Sequence, residues 1–83
     1  MSKLKAILEQ YIGEEILKAD GFDDAVIGIE ASSLRLIYSV DKIIEILVTQ
    51  EDMTFTDALE YYHYNIEGGW VGDQTPIWCY DII

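Results

Sequence analysis

The chain has 83 residues, a formal net charge of −11 and a composition that is 51% hydrophobic, which suits one folded domain over 1–83 and argues against disorder. A domain this short buries only about 60–65% of its unfolded surface, so its stability margin is narrow. The acidic excess disfavours direct nucleic-acid binding and adhesion to anionic membranes, because phosphates and acidic headgroups would repel it. No apolar run approaches the roughly 20 residues that span a bilayer. Residues 1–9 lack the apolar stretch of a secretory signal, and Cys79, the single cysteine, has no partner for an internal disulfide. These features predict a cytoplasmic protein.

Leu4, Ile7, Leu8, Tyr11, Ile12 and Ile16 recur every three or four residues and predict an amphipathic helix from Lys3 to Lys18. Glu15 interrupts its apolar stripe, Gly13 weakens it, and Asp20-Gly21 ends it. Ala25–Glu30 and Leu34–Ser39 read as two strands joined by the hairpin-length connection Ala31-Ser32-Ser33. Asp41 opens a second helix to about Gln50, its acid placed at the positive end of the helix dipole, with Val40, Ile43, Ile44 and Leu47 buried.

Thr54 is a good N-cap for a third helix, with Asp57 at the third position and Met53 and Ala58 placed as a hydrophobic staple. The expected buried face is Phe55, Ala58, Leu59, Tyr62 and Ile66. Gly68-Gly69 is expected to end this helix through a left-handed backbone. After the loop from Trp70 to Thr75, Ile77–Ile83 reads as a last strand. The order α-β-β-α-α-β predicts a small α+β domain, three helices packed on a short, mainly antiparallel sheet.

The residues that carry chemistry elsewhere are sparse. His63, the only histidine, neighbours Glu60 and Glu67 on the third helix, a weak basis for a metal site because carboxylate-rich sites draw ligands from several helices. The expectation is therefore no metal and no cofactor, with His63 in a local ion pair. Cys79 lies in an apolar strand of an acidic half, which disfavours a reactive thiolate. Gly68, Gly69 and Gly72 match no phosphate-binding fingerprint, and Asp20, Asp23 and Asp24 lack the spacing of a calcium loop. No catalytic residue is predicted.

The charge pattern says more. All five basic residues, Lys3, Lys5, Lys18, Arg35 and Lys42, lie in the first half, whereas the stretch from Ile43 onward holds eight acids and no Lys or Arg. That stretch also holds Phe55, Tyr61, Tyr62, Tyr64, Trp70, Trp78 and Tyr80. A helical wheel sets Asp57, Glu60, Tyr61 and Tyr64 opposite the core stripe of the third helix. Tyrosines among acids on a solvent face fit a hot spot for a basic partner. The candidate partner-binding residues are Asp57, Glu60, Tyr61, Tyr64 and Glu67, with Trp70 and Asp73 in the adjoining loop. Apolar residues left off the main stripes, among them Ala6, Leu17, Ile46 and Val48, are surplus that a homodimer would cover.

The stretch from Asp57 to Asn65, followed by the pattern Tyr64-Asn65-x-x-Gly68-x-x-x-Gly72-x-x-Thr75-Pro76-Ile77, resembles small acidic proteins of unknown function common in bacteriophage and prophage genomes. The upstream segment from Leu36 to Ile44 shares the resemblance. It implies a context, a phage-type accessory protein inside a bacterial host cell, and no catalytic residue. Small acidic proteins can present carboxylates where phosphates would lie and so occupy basic nucleic-acid grooves. The leading expectation is a non-enzymatic protein that binds a basic surface of a host or phage protein, as anti-CRISPR proteins and nuclease inhibitors do. A structural or regulatory homo-oligomer is the alternative, and a metal protein centred on His63 a distant third.

Overall fold

The computed structural model describes residues 3–69 and 72–81. Its elements are α1 (Lys3–Gln10), β1 (Val26–Ile29), β2 (Leu36–Ser39), α2 (Val40–Gln50), α3 (Phe55–Tyr61) and β3 (Ile77–Cys79), with a 3-10 turn at Asp23–Ala25 and a π-helical continuation of α3 over Tyr62–Glu67. The α+β class and element order match the sequence reading. The sheet runs β1-β2-β3 and is mixed: β1 pairs antiparallel with β2, and β3 pairs parallel with β2. The parallel ladder follows from connectivity, since α2 and α3 carry the chain back across the domain before β3 enters. "Mainly antiparallel" thus holds for one of the two ladders.

The first helix is half its expected length. It stops at Gln10, the Tyr11 amide closes the last turn on the Ile7 carbonyl at 3.0 Å, and Gly13 takes a left-handed φ of 96°. A continued helix would have set Glu15 in the apolar stripe; unwinding leaves it exposed. The segment 15–19 runs without regular structure, held to the sheet where the Ala19 amide donates to the buried Tyr38 hydroxyl at 2.8 Å.

The hairpin forms as expected, with shorter strands and an irregularity between Val26 and Gly28. Its turn is organised by Glu30, whose carboxylate accepts from the amides of Ser32 and Ser33 at 3.0 and 2.8 Å and from both hydroxyls. Leu34 adopts a left-handed φ of 58°, which removes it from the strand. Ser39 caps α2, its hydroxyl accepting from the Lys42 amide at 3.2 Å, and Asp41 lies in the first turn as expected. Val40, Ile43, Ile44 and Leu47 are all buried, as their spacing requires.

Thr54 caps α3 through a 3.1 Å bond from the Asp57 amide. Ala58 and Tyr62 are buried and Leu59 and Ile66 half-buried, but Phe55 is 65% exposed. Phe55 was expected on the buried face; as the first residue of the helix it stands at the margin of the core instead. The left-handed stop at Gly68 is also absent: Gly68 has φ −76°, and the chain leaves the π-helical turn with the Gly69 amide bonded to the Ile66 carbonyl at 3.1 Å. β3 is confined to Ile77–Cys79. The expected continuation to Ile82 and Ile83 lies outside the described residues.

The core centres on three aromatics. Tyr38 and Tyr62 are both fully buried, and Trp78 packs between them at ring-centroid distances of 5.5 and 6.3 Å. Edge-on and tilted contacts at these separations are favourable beyond simple burial. They join β2, β3 and the end of α3, and so fix the orientation of the α3 outer face.

Candidate protein-binding surface

α3 sets the candidate residues on its solvent side because Ala58 and Tyr62 commit its other side to the core. Asp57, Glu60, Tyr61 and Tyr64 line one shallow depression of about 390 Å³ together with Met53 and Asn65. Asp57 and Glu60 are exposed; Tyr64 is 82% exposed and Tyr61 42%. Tyr61 is the more anchored of the two tyrosines, since its other side borders a second groove of about 590 Å³ lined by Leu17, Phe22, Ile66, Pro76 and Trp78. Four of the seven sequence-predicted residues are thereby brought together.

The other three differ. Glu67 lies on the π-helical turn beside His63, its carboxylate 3.4 Å from the imidazole Nδ1, and does not line the depression. This contact is the local surface pair expected for His63, worth about 0–1 kcal/mol when the ring is protonated. Glu67 also acts on Tyr62: burial raises the phenol's pKa above its usual value, and the neighbouring carboxylate adds to the rise. Among the described residues, the Tyr62 hydroxyl finds no hydrogen-bond partner of good geometry. Asp73 is exposed in the loop before β3 and does not line the depression. Trp70 lies outside the described residues.

This geometry suits binding. Two phenol rings with flanking carboxylates present apolar area, hydroxyl donors and negative charge within a few ångströms of helix surface, a combination that lysines and arginines recognise through both charge and ring faces. Among the described residues, no group of three or more His, Cys, Asp or Glu side chains is arranged to hold a metal ion. The Cys79 thiol is half-buried and donates to the Tyr80 carbonyl at 3.7 Å. Among the described residues, no helix is long and apolar enough to cross a membrane.

A second feature escaped the sequence reading. Phe55 and Tyr80, exposed at 65% and 54%, flank a separate groove between α2 and the start of α3. The position of Thr54 as N-cap was the available signal, because it makes Phe55 the first helical residue and so places it at the edge of whatever α3 covers. No protein-family model, curated protein or solved structure matches this chain.

Proposed function

We propose that this chain is a non-enzymatic interaction protein of phage type that binds a basic surface of a partner protein through the outer face of α3. The partner class is a host defence or nucleic-acid-binding protein, which the acidic chain would block in the manner of an anti-CRISPR protein or a nuclease inhibitor. The observation that carries this reading is the clustering of Tyr61, Tyr64, Asp57 and Glu60 around one exposed depression. The carboxylates steer encounter with a positive surface, and the desolvated aromatics contribute most of the affinity. The resemblance to phage-encoded acidic proteins gives the setting.

The test is capture from a bacterial host lysate with two baits, the native chain and the Tyr61→Ala/Tyr64→Ala double variant. A nucleic-acid-binding protein retained by the native bait, displaced by competing DNA or RNA and lost with the folded variant, supports the proposal. Equal retention by both baits removes the site assignment.

A second reading, self-association, draws on a different surface. Leu8 of α1 is 40% exposed and Ile12, just beyond its end, 84%, both on a depression that they share with Leu4. If this is a self-interface, light scattering will report a dimer that Ile12→Glu dissociates. A native monomer at high micromolar concentration excludes it.

A further inference from the structure

A groove between α2 and α3, away from the α3 outer face, is predominantly apolar. Val40, Ile44 and Val48 supply one wall from successive turns of α2; Leu59, Phe55 and Tyr80 supply the other, around about 430 Å³. Its polar lining is Asp41 and Glu45, both exposed and one helical turn apart on α2. Lys42, although on the same helix, does not line it. An apolar floor with a one-sign rim sets two conditions on an occupant: it must bring apolar side chains, and it must bring positive charge.

We infer that this groove docks a short cationic amphipathic helix from a partner protein. The dimensions support a helix. Val40 to Val48 covers about 12 Å of α2 at 1.5 Å per residue, which matches two turns of a ligand helix laid alongside. Asp41 and Glu45 are about 6 Å apart along the axis, the rise between lysines or arginines at i and i+4. Apolar residues at i, i+3 or i+4, and i+7 of the ligand would then face the floor, as in helix-in-groove recognition.

Charge complementarity selects this occupant over the others that an apolar groove admits. A second copy docking symmetrically would turn the same patch on itself, bringing two sets of Asp41 and Glu45 together between chains that each carry −11. An anionic membrane would meet the same acids. This surface is separate from Tyr61 and Tyr64, none of whose depression residues line it, so the inference stands or falls independently of the proposed function.

The experiment is a titration of the isotope-labelled full chain, followed by amide chemical shifts, with three synthetic peptides of about three helical turns. One carries leucine on one face and lysine on the other. The second replaces lysine with glutamate, and the third replaces leucine with glutamine. Shifts from the first peptide alone, centred on Val40, Ile44, Val48, Phe55 and Tyr80, are the expected result. Phe55→Ala and the Asp41→Asn/Glu45→Gln pair should each weaken its binding at least about tenfold, the equivalent of about 1.4 kcal/mol.

Four results overturn the inference. One is shifts centred on Tyr61 and Tyr64, which would leave the proposed function standing. A second is shifts spread over the acids and equal for the leucine-free peptide. A third is a dimer of the free chain that Phe55→Asp dissociates. The fourth is unfolding of Phe55→Ala, which would make Phe55 core rather than groove wall.

Discussion

Replacing Phe55 with alanine is expected to cost little stability, and replacing Ile43 with alanine to cost a large part of it. Ile43 is fully buried on α2. Truncating such a residue removes its transfer free energy and leaves a cavity, together about 2–5 kcal/mol. The whole domain, at about 0.05–0.15 kcal/mol per residue, holds only about 4–12 kcal/mol. Phe55 is 65% exposed, so about a third of it is out of water. Complete burial of a phenylalanine side chain is worth about 1.5–3 kcal/mol, and a third of that is about 0.5–1 kcal/mol. No closed cavity forms, because the groove it lines is open to solvent. Urea unfolding followed by circular dichroism separates the two. With a slope near 1 kcal/mol per molar, reasonable for a chain this short, Phe55→Ala moves the midpoint by about 0.5–1 M and Ile43→Ala by about 2 M or more, if it folds at all. A Phe55→Ala loss as large as that of Ile43→Ala refutes the placement of Phe55 at the core's margin, and with it the groove.

Three further outcomes are expected. Ser39→Ala should lower stability by about 1 kcal/mol, because the α2 N-terminus loses the hydroxyl that accepts from the Lys42 amide; a change within about 0.3 kcal/mol would mean the cap is not used. The Glu30 carboxyl should titrate near 2 rather than its ordinary 4.5, held down first by the Ser32 hydroxyl and then by Ser33. The unfolded chain takes up this proton first as pH falls, so the stabilisation is complete above about 4.5 and is lost as pH falls through about 2. A carboxyl resonance with its midpoint at 4.5 contradicts the turn as described, and Glu30→Gln should abolish that segment of the pH dependence. Finally, salt should raise the melting temperature. At 0.01 M the screening length is about 30 Å, comparable to the 38 × 28 × 24 Å molecule, and at 0.15 M it is about 8 Å, so added salt relieves repulsion across the whole domain. A melting temperature that falls over this range goes against self-repulsion as a limiting factor.

What the sequence made legible follows from the range of the forces involved. α2 could be read with its buried face intact because four apolar residues at helical spacing, Val40, Ile43, Ile44 and Leu47, share one side of the helix. The Thr54 cap was legible because a cap is a bond between residues close in sequence. Legibility ended where tertiary neighbours decide. The end of α1 depends on the bond from Ala19 to Tyr38 and on the backbone of Gly13, neither of which periodicity reports. The exposure of Phe55 depends on the height at which the core ends, and the parallel pairing of β3 on how α2 and α3 carry the chain across.

The candidate site was partly legible for the same reason. Asp57, Glu60, Tyr61 and Tyr64 share a face by helical geometry alone, so the wheel placed them together. Glu67 sits beside His63, as the four-residue spacing predicts, and that pairing leaves it off the depression that the tyrosines line. Asp73 is positioned by loop contacts such as the bond from the Thr75 hydroxyl to the Gly72 carbonyl, which no sequence pattern announces.

The most direct test of the α3 surface is hydrogen–deuterium exchange on the chain alone and in complex with the partner captured from lysate. Added protection of the amides from Asp57 to Asn65 is expected, and its disappearance in the Tyr61→Ala/Tyr64→Ala variant. Unchanged exchange there, with protection appearing on another face, would contradict the assignment of this surface.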